Sequence, residues 1–309
     1  RGVMFRLILR RIGEAVPTLF ILIAITFFLV HSVPGRPFVS GKDYPPEVMH
    51  NLEAKYHLDK PLVNQLFYYL KDLAQGDFGP SYKYKDYSVN DLLRYALPVS
   101  MTLGAIAFLV ALFVGVTLGM MAALKQNSFL DYFFMVFAMI GVVVPSFVLA
   151  PLMILIFSVL LHWLPSDGWQ KGNYLSFVLP VLVLAVPHIA SIGKLTRSSM
   201  IEILNSPFIR TARAKGLPKH IIIFRHALKP TLIPVFSYLG PALVGIMTGS
   251  VIIEQIFMIP GMGQLFVDGA LNRDYGLVVS LTILVGFLSI TFNTLIDISI
   301  GLLDPRVKY

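Results

Sequence analysis

The sequence predicts an all-α polytopic membrane protein with six transmembrane helices, a short cytoplasmic helix and an extracytoplasmic cap. Only 14% of its 309 residues are charged and 56% are hydrophobic, whereas a soluble domain carries about 25% charged residues. Six runs of at least 21 residues contain no Asp, Glu, Lys or Arg: 15–35, 95–124, 132–166, 172–193, 230–253 and 275–296. About 20 apolar residues cross the ~30 Å hydrocarbon core of a bilayer as a helix, so each run predicts one transmembrane helix.

The cap is the polar segment that follows the first span. It holds eight acidic and eight basic residues between positions 34 and 94. Residues 45–56 and 61–73 each begin with a proline, which favours the first turn of a helix. The second of these helices has an apolar stripe that is predicted to lie on the membrane surface or on a partner: Leu62, Leu66, Tyr69 and Leu73.

The predicted organisation has three parts. They are an N-terminal flank with the first transmembrane helix (1–33), a periplasmic segment (34–94) and a five-helix core (95–309) that includes a cytoplasmic loop (205–229).

The later spans carry signals for bends and for close packing. The third run is 35 residues long and contains Pro145 and Pro151, so it must tilt, bend or leave the membrane early.

Glycines four residues apart occur in the second and fifth spans: Gly115 and Gly119, and Gly245 and Gly249. Such pairs let helix backbones approach closely in lipid, either inside the bundle or at a seam between subunits.

Lys and Arg residues lie mostly on one side of the predicted membrane. With six spans both termini share a side, and that side holds 15 of the 25 Lys and Arg residues but only five of the 17 Asp and Glu residues. Cytoplasmic segments are enriched in Lys and Arg, so both termini and the loop 205–229 are predicted to be cytoplasmic. The net charge of +8 is explained by this topology, and a nucleic-acid partner is not expected.

The cytoplasmic loop contains SPFIRTARAKGLP, which carries its own helix signals. Ser206 is a suitable N-cap, and Pro207 suits the first helical position. Gly216 can adopt a left-handed conformation after the last turn, and Pro218 prevents continuation. A helix over 207–215 follows, about 13 Å long at ~1.5 Å per residue.

This short helix needs a partner, because a helix of nine residues is marginal in water. Phe208, Ile209 and Ala212 can share one apolar side. The spacing leaves two interpretations open. The helix is either a connector that lies on its own protein or on lipid headgroups, or a docking element inserted in another protein.

The stretches RTARAKGL and RHALKPTLIPV resemble the cytoplasmic EAA loop of ABC-type importer permeases. In that family a Glu-Ala-Ala triplet precedes a glycine at a fixed spacing. Arg210, Thr211 and Ala212 occupy the triplet positions here, and Gly216 is in register. Because only Ala212 and Gly216 match, a role that needs the acidic side chain is not implied.

RTARAKG is the form found in the peptide and nickel branch of that family. Other stretches are similar to the same branch: FRLILRRIGEAVPTLF, VPG, GDFGPSYKYKDYSVNDLL (76–93), VIIEQIFMIPGMGQLFVDGALNRDY (251–275) and LLDPRVKY. The similarity to B-type membrane subunits of bacterial oligopeptide transporters extends from end to end of the chain.

The resemblance implies a type I ABC importer permease in the bacterial inner membrane. Its partners would be a homologous second permease, two ATP-binding subunits, and a periplasmic binding protein that delivers the peptide substrate. ATP and magnesium would bind to the partner ATPases, and this chain would bind no cofactor and no metal. The resemblance assigns ATPase coupling to the short helix and its terminal glycine: Phe208, Ile209, Arg210, Thr211, Ala212, Arg213, Ala214, Lys215 and Gly216.

No sequence motif of an enzyme is present. The chain contains neither HExxH nor GxSxG, its seven histidines form no HxxxH pair, and it has no cysteine for a thiolate metal site. The segment from Gly35 to Asp43 differs from a P-loop, because it has one residue too many between its glycines and Asp43 in place of a hydroxyl residue. We therefore expect a non-hydrolysing membrane subunit, with ATPase activity on the partner subunits.

Polar side chains near the ends of two predicted spans are candidates for the translocation path or its gate: Asn293, Asp297 and Glu254. Asp297 follows Asn293 by one helical turn. It either pairs with a Lys or Arg at the cytoplasmic boundary or lines the path. Glu254, at the outer end of the fifth span, is either interfacial or in contact with the binding protein.

The predicted function is that of a permease subunit that forms, with a homologous permease, a path for oligopeptides. Dipeptides, murein peptides, haem and nickel are alternative cargoes within the same family. An ion-coupled secondary carrier is the alternative of another class. It would need buried carboxylates near mid-membrane, where Asp297 is the one arguable candidate. A membrane-embedded hydrolase lacks any proposable nucleophile–base arrangement.

Overall fold

The computed structural model describes residues 2–33, 50–51, 53–54, 57–84, 87–169 and 173–303. These residues form helices and connecting turns, and they include no β-strand. The helices are α1 (Gly2–Ser32), α2 (Leu62–Ala74), α3 (Val89–Leu124), α4 (Phe129–Val143), α5 (Ser146–Met153), α6 (Val178–Leu204), α7 (Pro207–Ala214), α8 (Leu228–Ile256), α9 (Met262–Leu271) and α10 (Tyr275–Leu303).

Three helices have irregular extensions. α5 continues as a π-helix, Ile154–Leu160, and a short 3₁₀ helix, Tyr174–Phe177, leads into α6. An α-helical turn, Lys219–Ile221, and a π-helical segment, Ile222–Ala227, lead into α8. The predicted helix over 45–56 lies largely outside the described residues, and so do the last residues, 304–309.

The described residues contain five helices that are long and apolar enough to cross a membrane, or six if one bent pair counts as a single span. The bent pair is the third predicted span. It consists of two helices with a bend of 112° between them, so the predicted bend is confirmed. Pro145 lies at the break, where Val144 has an extended backbone as residues before proline prefer. Pro151 lies within α5.

Both glycine pairs pack inside the chain. A Cβ at Gly119 would overlap the carbonyl oxygen of Gly193 on α6, and a Cβ at Gly115 would come within 2.9 Å of Ile192. A Cβ at Gly245 would come within 2.8 Å of His188. Of the two interpretations, packing within the bundle is the one that the structure confirms.

The chain divides into two compact units, each of which contains residues distant in sequence. The first unit comprises the described residues among 1–11, 101–259 and 289–309, and it contains α7. The second comprises those among 12–100 and 260–288, and it contains α2 and α9. This division follows the proximity of backbone segments in the fold, whereas the division predicted from the sequence follows polarity.

The apolar stripe of α2 packs within the second unit. Leu66, Tyr69 and Leu73 join a buried cluster with Phe27 of α1 and Ile283 of α10. The expectation that this stripe lies on the membrane surface or on a partner is wrong for these three residues, because helices of the same chain cover them.

Candidate functional site

α7 begins at Pro207 and ends at Ala214, so it is one residue shorter than the sequence predicted. Ser206 occupies the N-cap position with extended backbone angles (φ −70°, ψ 154°). Its hydroxyl does not cap α7, however, because Oγ donates to the carbonyl oxygen of Ile203 at 2.5 Å. The serine therefore closes the end of α6 and leaves Pro207, which has no amide hydrogen, to begin α7.

The C-terminal end of α7 is a Schellman motif. Gly216 has a φ of +74°, and its N–H donates to the carbonyl oxygen of Arg213 at 2.9 Å. The N–H of Leu217 donates to the carbonyl oxygen of Ala212 at 3.3 Å. These two bonds satisfy carbonyl groups that the end of a helix otherwise leaves unpaired. The glycine and stop signals predicted from the sequence are confirmed.

One face of α7 is buried against its own protein. Ile209 is fully buried and Ala212 is 7% exposed. They belong to a cluster, here called the α7 cluster, with residues from the ends of α3 and α6 and from the segment before α8: Ala123, Met200, Ile222, Ile223 and Ala227. The interpretation of α7 as a connector lying on its own protein is confirmed for this face.

The opposite face of α7 is exposed and basic. Phe208 is 48% exposed, and the other exposed residues of the helix and its C-terminal turn are Pro207, Arg210, Thr211, Arg213, Ala214, Lys215 and Gly216. Arg213 reaches back to the carbonyl oxygen of Leu204 at 3.4 Å. The expectation that Phe208 shares one apolar side with Ile209 and Ala212 is therefore wrong. The exposed face combines one aromatic ring with guanidinium and ammonium groups, which suits a groove that carries carboxylates.

A buried ion pair joins α4 to α6 in the same unit. Arg197 donates to the two oxygens of Asp131 from Nε at 2.5 Å and from Nη2 at 2.8 Å. The backbone N–H of Asn127 donates to the same carboxylate at 3.0 Å. Asp131 is 1% exposed. The analysis of the sequence missed this pair because the partners are 66 residues apart; the one signal was a charged residue in the first turn after the N-cap Ser128.

The predicted path residues lie in different environments. The Asp297 carboxylate accepts from Arg11 Nη2 at 2.8 Å, so the predicted pairing with a basic residue is confirmed. Asn293 Oδ1 packs directly against the backbone of Gly240 on α8. The Glu254 side chain is fully buried in the last turn of α8. The expectation that it contacts the binding protein is therefore wrong, because the chain's own residues cover it. A path or gate role for these residues stays a prediction.

The second unit holds a polar cluster around a buried carboxylate, which the sequence did not indicate. Asp274, fully buried, accepts from Ser81 Oγ at 2.5 Å and from the Lys83 N–H at 3.2 Å. Its other oxygen accepts from the Leu277 N–H at 3.2 Å in the first turn of α10. The segments 76–93 and 251–275, both of which carry the resemblance, are therefore joined through Asp274. No group of three or more His, Asp or Glu residues that could hold a metal ion occurs in the part of the chain that the structure describes.

Two family models together match nearly the whole chain. The model described as "Binding-protein-dependent transport system inner membrane component" matches residues 115–309. The model of its N-terminal part, "Binding-prot-dependent transport system membrane comp, N-term", matches residues 4–104.

Curated relatives match over their full length. The chain is 60% identical over 306 residues to the "Oligopeptide transport system permease protein OppB" of Escherichia coli (strain K12), with 99% of this chain and 100% of the relative covered. It is 43% identical to the "Dipeptide transport system permease protein DppB" of Bacillus subtilis (strain 168), with 99% and 98% covered.

A solved structure shares the fold. The chain matches a protein in "Inward facing conformations of the MetNI methionine ABC transporter" with a TM-score of 0.59, at 16% identity. The match covers 69% of this chain and 96% of that one. At this identity the likeness is one of fold, and it confirms the expected architecture of an ABC importer permease.

Proposed function

The chain belongs to the family of binding-protein-dependent transport system inner membrane components, and we propose that it is the permease subunit of an ATP-driven oligopeptide importer. One observation carries this proposal, namely the 60% identity to an oligopeptide permease with both chains covered almost completely. Identity to a dipeptide permease is lower, at 43%. The difference favours oligopeptides as cargo and makes dipeptides the second candidate.

In this proposal the chain lies in the inner membrane with α7 and both termini in the cytoplasm. The excess of Lys and Arg on the side of α7 supports that orientation. The bent pair α4–α5 then counts as one crossing, which gives six spans and places both termini on one side.

The proposed partners are a homologous permease, two ATP-binding subunits and a peptide-binding protein on the outer face. The chain itself hydrolyses no nucleotide, and ATP with magnesium binds on the partner subunits. This division of labour is supported by the fold likeness to an ABC importer permease. It is also supported by the composition of α7, which offers a basic surface and no catalytic group.

α7 is the proposed coupling element. Its buried face is fixed to the α7 cluster through Ile209 and Ala212, so a force on the exposed face moves the ends of α3 and α6 with it. Its exposed face presents Phe208, Arg210 and Lys215 to a partner. A rigid element held between an ATPase and two spans can convert closure of the ATPase into a movement of the path.

The cargo is tested by uptake in cells that lack their own peptide permeases. This chain is expressed with its partner subunits, and uptake of radiolabelled dialanine, trialanine and pentaalanine is measured. We expect ATP-dependent, vanadate-sensitive uptake of trialanine and pentaalanine above that of dialanine. Preferred uptake of dialanine would establish the second candidate, and uptake driven by a proton or sodium gradient in this chain alone would contradict both.

A further inference from the structure

α4 and α6 pack closely through small and apolar residues. A Cβ at Gly193 of α6 would overlap the ring of Phe134 on α4, and a Cβ at Gly141 would come within 3.1 Å of Ala190. Phe134, Ala138 and Ala190 share a buried cluster. At the end of α6 that leads to α7, the contact between the two helices is the Asp131–Arg197 ion pair instead of apolar side chains.

The ion pair fixes the relative position of α4 and α6 more than it stabilises the fold. Removing two charges from water is costly, and apolar replacements of buried ion pairs are often neutral or stabilising. A bidentate guanidinium–carboxylate contact, in contrast, fixes both the distance and the orientation of its partners. The two bonds from Arg197 therefore set the register of α4 on α6.

The same carboxylate contacts the turn that follows α3 as well as α6. Asn127, in the turn between α3 and α4, has a φ of +63° and directs its N–H at Asp131. The end of α3 contributes Ala123 to the α7 cluster, and α6 contributes Met200, which lies one turn beyond Arg197. Asp131 is thus connected to both helices on which α7 rests.

From this juxtaposition we propose that the Asp131–Arg197 pair is a clamp that transmits displacement of α7 to α4 and so to the bent pair α4–α5. The inference rests on the proposed function, in which α7 is moved by a partner ATPase. Arg197 and Asp131 are positioning residues here, since neither contacts cargo or nucleotide. Without the clamp, α7 and α6 still move, but α4 follows them incompletely.

The test replaces the clamp by apolar side chains of similar size, Asp131→Leu with Arg197→Met, in the complete complex reconstituted in liposomes. ATP hydrolysis and trialanine uptake are measured on equal amounts of assembled complex. We expect the ATP consumed per peptide imported to rise about fivefold, the scale on which single sites alter coupling between distant sites. A merely structural role would lower both activities together and leave their ratio unchanged, and that result overturns the proposal.

Arg197→Lys keeps the charge but loses the bidentate contact. This variant tests the clamp if the double variant does not assemble. For this variant we expect the ATP consumed per peptide imported to lie between the value of the wild type and that of the double variant. A value equal to that of the wild type contradicts the clamp. Lys194→Arg is the matched control, because Lys194 lies on the same helix with an exposed side chain.

A distance measurement separates failure of the clamp from failure of the proposed function. The chain has no cysteine, so Glu202→Cys, exposed in the last turn of α6, and Val136→Cys, exposed on α4, provide the only spin labels on this chain. In the wild-type complex we expect one narrow distance distribution, which broadens in the double variant whether or not peptide is transported. An equally narrow distribution in the double variant overturns the clamp. Absence of wild-type peptide uptake overturns the cargo alone.

Discussion

Phe208 is the residue of α7 that exposes a large apolar side chain on an otherwise basic face. An aromatic ring in such a setting is typical of residues that dominate binding energy when a partner covers them. We predict that Phe208→Ala lowers ATPase association about 30-fold or more, equivalent to at least ~2 kcal/mol, without changing the amount of permease in the membrane. Affinity purification with quantified ATPase subunits measures the effect.

Phe129→Ala is the matched control for this prediction. Phe129 is 84% exposed and begins α4 in the same unit, but it lies outside α7. Association of the ATPases should be unchanged in this variant. Equal losses in both variants, or none in Phe208→Ala, would show that α7 is not the surface that the ATPases bind.

The buried carboxylate of Asp274 accepts several hydrogen bonds within the second unit. Asp274→Asn replaces an accepting oxygen by an amide donor, so at least one of the Ser81, Lys83 and Leu277 donors is left without its acceptor. We expect a loss of about 1–3 kcal/mol in the free energy of unfolding. Thermal unfolding of the purified protein in mild detergent measures it. Asp77→Asn, at an exposed carboxylate, should change stability far less.

Among the secondary-structure elements, the turn after α7 needs glycine because of its backbone conformation and not because of limited space. A Cβ at Gly216 would meet nothing within 4 Å, yet its φ of +74° is strained for any other L-residue. Gly216→Ala should therefore destabilise the protein by about 1–2 kcal/mol, and Gly216→Asn by less.

Gly13→Ala provides the control for that turn. Gly13 also has open space around it but lies inside the α1 helix, where alanine is favoured over glycine by up to ~1 kcal/mol. Thermal unfolding should show opposite signs for Gly13→Ala and Gly216→Ala. Unchanged stability in Gly216→Ala would show that the positive φ at this turn carries no cost.

Helix packing in the first unit predicts an order among three glycine substitutions. Gly119→Ala brings a methyl group onto the backbone of Gly193, which cannot yield unless the helices separate. Gly193→Ala meets the ring of Phe134, which can rotate, and Gly104→Ala reaches Ile246 at an ordinary 3.6 Å. Overpacking costs about 1–3 kcal/mol, so we expect the loss of unfolding free energy to decrease from Gly119→Ala to Gly193→Ala to Gly104→Ala. Equal losses would show that the contact with Gly193 yields as easily as a side chain.

The sequence predicted elements whose signals are local. The ends of α7 depend on Pro207 and Gly216 within the helix and its turn, and the bend between α4 and α5 depends on Pro145. Ile209 and Ala212 were predicted to lie on the apolar side of α7, but the residues that cover them were not, because those residues lie far apart in the chain. The Asp131–Arg197 pair was missed for the same reason: each charge by itself is consistent with a boundary of a span.

For the molecule as a whole, the bent pair decides the topology. If α4 and α5 cross the membrane together, the chain has six crossings; if they return to the same side, it has five and the termini lie on opposite sides. Phe129 and Tyr174 flank the pair and are 84% and 85% exposed.

Single cysteines in the cysteine-free chain test this topology. Tyr174→Cys should react with an impermeant maleimide in intact cells, and Phe129→Cys only after permeabilisation. Thr211→Cys on α7 should behave as Phe129→Cys does. Reaction of Phe129→Cys and Tyr174→Cys from one side would establish a re-entrant pair and contradict the six-crossing arrangement.

The carboxylate of Asp274 also constrains how such proteins can be recombined. It receives hydrogen bonds from a loop nearly 200 positions earlier in the chain, so the two stretches are structurally coupled although they lie far apart in the sequence. A chimaera that takes only one of them from a distant relative would mismatch donor and acceptor in the interior. Exchanging both together should preserve the fold of the hybrid, so the two stretches are the unit to exchange between related transporters.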